Sequence, residues 1–363
     1  MVMPTFFSPA KKRSDEPLGV LFISSGGLGD TVLLSLILDR LCQIAELDES
    51  ITLILRHDAA KMAFLFGDRI DILPVDYTAF RKDRSYRKVT SDQLYKANYR
   101  LVVSTDYLRH PKLDDAFVKA CAAPEALAME PRAWVKYDKE LTKNRALYSR
   151  LFDSGPVHLD KVLRWLRFAD WLTGTEQALP LVQLPKGRVK PGNAFTRPTV
   201  ILVPFSAVKE KQSPPELFEQ IIAYLGDEFD FIITGAPDDL DANLDFKPLL
   251  ERPNVEFDSA VFEALVPKLK QAHLVVSVDT ATMHLAVAVG APIVCLASAA
   301  YVGEIVPYAP EIKPENVRFI YTPMDCEGCL GSCNLPTEKG MFPCVAGLQE
   351  TQILVAIDEV LAT

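Results

Sequence analysis

Residues 272–296 read AHLVVSVDTATMHLAVAVGAPIVCL, and their order of residue types decides the fold. Leu274 to Val278 is a short apolar run rich in β-branched residues, which predicts a buried strand. Asp279-Thr280 is a polar turn, and the residues after it have helical character. Gly290-Ala291-Pro292 stops that helix, and IVCL opens another strand. A helix linking two buried strands implies a parallel sheet covered by helices. The same opening occurs earlier, where residues 99–107 read YRLVVSTDY. Each version delivers an aspartate, Asp279 or Asp106, at the end of a strand.

Working outward, the alternation continues on both sides. GVLFISS (residues 19–25) precedes the helical pattern DTVLLSLILDRLCQIAE (30–46), and ITLILRH (51–57) follows. TVILVPFSA (199–207), PPELFEQIIAYLG (214–226) and FDFIITG (229–235) repeat that sequence of elements. Between the two series, residues 179–199 carry four prolines and two glycines and show no period, as a connecting segment does. The expected organisation is α/β: two doubly wound Rossmann-like domains facing a central cleft. Residues 1–180 form the first domain, 181–198 the linker and 199–363 the second domain, which includes a cysteine-rich segment at 326–344. Ligands of such sheets bind at the C-terminal ends of the strands.

Composition narrows the function. The chain has 363 residues, half of them apolar, enough for two cores. Its net charge of −9 argues against a nucleic-acid partner. The N-terminal stretch MVMPTFFSPAKKRSDEP lacks the order of charge, apolar run and cleavage site of an export signal. The apolar window Met283–Gly303 nears membrane-spanning length, but His284, Gly290 and Pro292 divide it into a buried helix, turn and strand. Of seven cysteines, Cys42, Cys121 and Cys295 stand singly in apolar or helical contexts. Cys326, Cys329, Cys333 and Cys344 cluster, with one C-x-x-C spacing, and form either a four-thiolate metal set or four reduced thiols.

Four further stretches offer chemistry. In SSGGLGD (24–30), Gly26, Gly27 and Gly29 permit tight turning and Asp30 begins a helix. By itself this fits a phosphate cradle, a carboxylate on a hinge or a helix N-cap. It is not G-x-G-x-x-G, and no Tyr-x-x-x-Lys set follows a suitable strand, so a dehydrogenase or epimerase is disfavoured. In VPFSAVKEKQSPPELF (203–218), Lys209 and Lys211 stand at the expected cleft mouth, as phosphate partners or as solvated lysines. The turn Asp279-Thr280-Ala281-Thr282 places the first N–H groups of a helix at the cleft, with His284 one turn in. Finally, RKDRSYRK (81–88) supplies Arg81, Lys82, Arg84 and Arg87, either a solvated loop or a contact for an anionic acceptor.

On SSGGLGDTVLLSLIL and SVDTATMHLAVAVGAPIVCL the sequence resembles glycosyltransferase family 9, the heptosyltransferases. LDKVLRWLRFADWLTG (159–174), KEKQSPPELF, the clustered cysteines and ILVAIDEVL (353–361) extend the resemblance over most of the chain from Leu18. The glycine loop also resembles that of glycogen and starch synthases, but Ser24 and Ser25 replace their lysine. The resemblance implies the GT-B fold and an inverting sugar transfer that uses no cofactor for catalysis. It implies ADP-heptose as donor and, as acceptor, a lipopolysaccharide-type or other lipid-linked glycan or a protein. Asp30 would be the base and Lys211 would contact the donor diphosphate. The Asp279–His284 turn would hold the same phosphates, and Asp238 or Asp239 would meet the ribose or base. A cytoplasmic protein follows, with peripheral contact at the inner face of the cytoplasmic membrane. Relatives that glycosylate autotransporters hold iron in a cysteine finger, which implies structural iron or zinc at the four cysteines. Two departures bear on donor choice: Ala281 replaces a glycine, and LASAAYVGE (296–304) replaces L-F-G-P-T-D. The alternatives are a catalytically silent nucleotide-sugar-binding or scaffolding relative, or a member using another donor.

Overall fold

The computed structural model describes Arg13 and residues 16–192 and 194–363. Most of the N-terminal stretch that was read for an export signal lies outside these residues. Two parallel six-stranded sheets organise the rest. The first contains β1 (Val20–Ile23), β2 (Ile51–Arg56), β3 (Ile70–Val75), β4 (Leu101–Ser104), β5 (Glu125–Met129) and β6 (Arg150–Phe152). The second contains β7 (Thr199–Val203), β8 (Asp230–Thr234), β9 (Val255–Asp258), β10 (Leu274–Val278), β11 (Ile293–Leu296) and β12 (Val317–Ile320).

The orders are β3-β2-β1-β4-β5-β6 and β12-β11-β10-β7-β8-β9, so each half is the same doubly wound sheet. In each, the order reverses between the first and fourth strands of that half. Val20 pairs with both Ile51 and Leu101 at one reversal, and Leu274 pairs with Val200 at the other. These are the two switch points, where the helices diverge and leave a crevice. Central strands β1, β4, β7 and β10 are buried along their whole length, as their largely apolar runs require.

The apolar window becomes the Ala281–Ala288 helix, a turn at Gly290 with φ +87°, and β11. Among the described residues no helix is long and apolar enough to cross a membrane. The described residues of the 181–198 segment form no helix or strand, yet residues 182–184 are not a loose tether. Val182 N donates to Ile312 O at 2.9 Å and Leu184 N to Ala288 O at 2.7 Å. Val182 and Leu184 alternate inward and are buried, so this stretch packs on the second half.

Between β6 and the linker runs the Lys161–Thr173 helix, capped by Asp160, which accepts from Val162 N at 2.8 Å and Leu163 N at 3.3 Å. It lays Trp165 and Phe168 on the core, and Trp165 Nε1 donates to Thr105 O at 2.7 Å. Its first turn also touches the second half, because Lys161 N donates to Glu304 O at 2.8 Å.

Candidate functional site

The two switch points meet where the Leu28–Ser35 helix packs against the Ala281–Ala288 helix. Gly29 is glycine for a packing reason: a Cβ there would lie 2.9 Å from His284 Cδ2. Gly26 is equally constrained, since its Cβ would come within 2.4 Å of Asp30 Cβ.

Asp30 is not the first residue of its helix. Gly27, in extended conformation, is the N-cap, and Asp30 stands at the third helical position. Its Oδ2 accepts from Gly27 N at 2.8 Å. The carboxylate therefore reaches back to an orphan N–H of the helix start, as an acidic side chain at that position does. Its Oδ1 accepts from Lys161 Nζ at 2.6 Å, a partner that the sequence reading did not include. Burial pushes the Asp30 carboxyl up, but Lys161 and the Gly27 N–H outweigh it, and the group ends below its ordinary value. It is ionised at neutral pH.

Beneath the loop lies a second carboxylate. Asp106, at the end of β4, accepts from Ser25 N at 2.5 Å and from Ser25 Oγ at 3.1 Å. Burial raises its pKa, against the pull of Lys161. Buried Asp114 is pushed to about 7 by burial and by Asp106, and it accepts from His110 N at 2.8 Å. Tyr77 OH donates to Ser24 O at 2.9 Å, so the loop is held from below by buried polar groups.

Across the contact, Asp279 follows β10 and forms an ion pair with Lys211, Nζ to Oδ2 2.6 Å. The ammonium also lies 4.7 Å from the centre of the Tyr301 ring, within cation–π range. Lys209 points elsewhere, to the Asn243 side-chain oxygen. Thr280 is the N-cap of the Ala281–Ala288 helix, so the first turn presents N–H groups that have no carbonyl within the helix. His284 Nδ1 lies 2.6 Å from the Tyr308 hydroxyl, and burial pushes the ring down to about 4. It is a neutral imidazole standing between the Asp30 and Asp279 carboxylates.

The remaining candidates make local contacts of their own. Asp238 is exposed after β8, and Asp239 Oδ2 accepts from Ala236 N at 2.6 Å, a local turn contact. The stretch from Arg81 to Lys88 is not a loop. It is the corner between the Tyr77–Lys82 and Arg84–Ala97 helices, where Asp83 accepts from Ser85 N at 2.7 Å. Arg87 Nε donates to Phe80 O at 2.7 Å, and Arg84 is exposed. Arg81, Lys82 and Arg87, with Lys112 and Lys119, line a cavity of about 480 Å³.

All four clustered cysteines are free thiols and line one small pocket beside Ala299 and Ala300. Burial raises the pKa of Cys344, and the neighbouring Cys329 and Cys333 add to it. Among the described residues, however, no three His, Cys, Asp or Glu side chains are drawn together closely enough to hold a metal ion.

A family model described as glycosyltransferase family 9 (heptosyltransferase) matches residues 142–326. No curated protein sequence matches the chain. Among solved structures, the glycosyl transferase family 9 protein from Veillonella parvula superposes with a TM-score of 0.72 at 16% identity, covering 97% of this chain and 99% of that one. E. coli heptosyltransferase WaaC with ADP-2-deoxy-2-fluoro heptose superposes with a TM-score of 0.61 at 18% identity, covering 86% and 97%. The iron-containing dodecameric glycosyltransferase TibC from enterotoxigenic E. coli reaches 0.52 at 13% identity, covering 96% and 77%. The two facing doubly wound sheets are the GT-B fold.

Proposed function

The chain belongs to glycosyltransferase family 9, the heptosyltransferases, and from that premise we propose that it transfers heptose from ADP-heptose, with inversion, to an acceptor hydroxyl. The observation that carries this reading is the opposition of two switch points. An ionised Asp30 lies on one side; Lys211 and the N-terminus of the Ala281–Ala288 helix lie on the other.

In the proposed step the acceptor oxygen attacks the anomeric carbon and its proton passes to the Asp30 carboxylate. The bond from that carbon to the diphosphate breaks, and its electron pair leaves with the phosphate oxygen. Negative charge grows there, so Lys211 and the N–H groups of Ala281, Thr282 and Met283 stabilise the transition state more than the ground state. His284, neutral and held by Tyr308, keeps the glycine loop against that turn. The acceptor enters from the first half, with Arg81, Lys82, Arg84 and Arg87 as contacts for an anionic group. Asp238 and Asp239 are assigned to the donor's ribose or base. A lipopolysaccharide-type glycan is assigned as the acceptor, as for the E. coli ADP-heptose lps heptosyltransferase II of similar fold, and its lipid anchor would bring the protein to the inner membrane face. Calorimetry with ADP-, UDP-, GDP- and CDP-linked sugars tests the donor: selective binding of ADP-heptose is expected, and binding of UDP sugars alone overturns it. Binding with no transfer to any glycan or protein acceptor would make the chain a nucleotide-sugar-binding relative.

A structural iron or zinc is the second part of the reading. The four thiols line one pocket without being gathered into a ligand set, so an ion there would draw them together and tie the 326–333 loop to Cys344 of the Pro343–Ala346 helix. TibC, whose fold is similar, contains iron. Elemental analysis of purified protein should return about one iron or zinc per chain; no bound metal removes this part of the reading.

A further inference from the structure

We propose that Lys161 is a positioning residue for the transfer: it keeps Asp30 ionised and aimed, and the second half of the chain decides where Lys161 stands. The inference rests on the reading of Asp30 as the base. Lys161 Nζ takes one carboxylate oxygen of Asp30 at 2.6 Å and the Gly27 N–H takes the other at 2.8 Å. The plane of the carboxylate is thereby set, and each oxygen keeps capacity for a further hydrogen bond.

Charge explains why an ammonium is needed at this point. Asp106 is a second carboxylate under the same loop, only 4% exposed. Two carboxylates sharing a buried site tend to hold one proton between them. The groups facing Asp30 from the surrounding elements are Lys161, Arg56 at the end of β2, Asp106 at the end of β4, His284, and Tyr301. Asp114 stands behind Asp106, and Glu304 faces Lys161. Of the two lysine or arginine partners, only Lys161 bonds Asp30. Arg56 is hydrogen-bonded to Asp58.

The position of Lys161 is imposed from the other half. Its own N–H donates to Glu304 O at 2.8 Å, and the preceding Asp160 accepts from Ala309 N at 3.0 Å. The Glu304 carboxylate pairs in turn with Arg132 at 3.1 Å. The base of the first half is thus aimed by a helix whose start is bolted to the 304–309 segment of the second. The ammonium lowers the proton affinity of Asp30, and in exchange the carboxylate is available over the whole neutral range.

The test is carboxyl carbon-13 NMR titration of aspartate-labelled protein, with the Asp30 signal assigned by its loss in Asp30→Asn. In Lys161→Met the Asp30 signal should titrate at higher pH than in the parent, and Lys161→Arg should return it toward the parent value. ADP release from ADP-heptose should fall roughly 10–100-fold at neutral pH in Lys161→Met, less than or comparable to loss of the base itself. That deficit should shrink as pH rises, whereas the Asp30→Asn deficit should not. An unmoved Asp30 signal in folded Lys161→Met, or a deficit equal at every pH, overturns the proposal. Lys161→Gln makes the same comparison if the methionine variant does not fold. If the parent protein releases no ADP, the donor reading fails, while the titration still decides the role of Lys161.

Discussion

Each half of the molecule ends a central strand near an aspartate–lysine pair, and both pairs are 2.6 Å long. They differ in access to water. The Asp30 and Lys161 side chains are 25% and 23% exposed, whereas Asp279 and Lys211 are 6% and 10% exposed. A pair open to a quarter of its surface can meet a substrate and exchange a proton with it. A pair closed to that degree carries a large desolvation cost that only mutual pairing offsets. The same two residue types therefore act differently: Asp30 is open to an acceptor, whereas Lys211 would meet a diphosphate while held beside the buried Asp279 carboxylate.

Four tests bear on this contrast. Asp30→Asn has the largest expected effect, a fall in turnover of ~10²–10⁴-fold with donor affinity nearly unchanged by calorimetry. Near-normal turnover would remove Asp30 as the base. Lys211→Met should cost about 3–5 kcal/mol in denaturant unfolding, because it leaves Asp279 buried without a partner. Adding Asp279→Asn should recover part of that loss. Lys161→Met should cost clearly less in the same assay, since water screens its partner; equal costs would erase the distinction between the pairs.

The third test concerns acid. His284 has a folded pKa of about 4 against an ordinary 6.5, so between those values the unfolded chain binds the extra proton. Stability should then fall as pH drops from about 6.5 to about 4, by roughly 3 kcal/mol at most, and His284→Gln should flatten that limb. An unchanged limb in the glutamine variant would place the titration elsewhere. Smallest is Gly29→Ala, where the new Cβ meets the His284 ring at 2.9 Å and pushes the two halves apart. A loss of about 1–3 kcal/mol is expected, with transfer impaired; a neutral substitution would show that the halves do not need this contact.

Much of this was legible before the structure. β1, β4, β7 and β10 are buried, largely β-branched runs followed within two residues by a serine, proline or aspartate turn, and such strands announce themselves. β3, β5, β6, β9 and β12 were missed: IDILPV carries a proline, EALAM lacks β-branched residues, and RLF, VEFD and VRFI are short and mix polar with apolar residues. Asp30 and Asp279 could be picked out because a strand end followed by a helix is a local pattern. Lys161 could not be tied to Asp30 from spacing, being 131 residues away. One signal was available: a lysine directly after the Asp160 cap puts positive charge at the positive end of a helix dipole. Such a placement is unfavourable unless an anion waits nearby. The basic corner at Arg81–Lys88 was misread as a loop because Asp83 serves as the stop of one helix and the cap of the next.

What the sequence determined by itself was the architecture: two α/β halves alike in order, with their polar residues at strand ends. Periodicity, turn chemistry and capping act over a few residues, so they are written in order along the chain. The tertiary structure alone decided which charges meet, which glycine faces which histidine, and which carboxylates are ionised. Those depend on burial and on partners far apart in sequence, and proton affinity follows the few ångströms around a group rather than its neighbours in the chain.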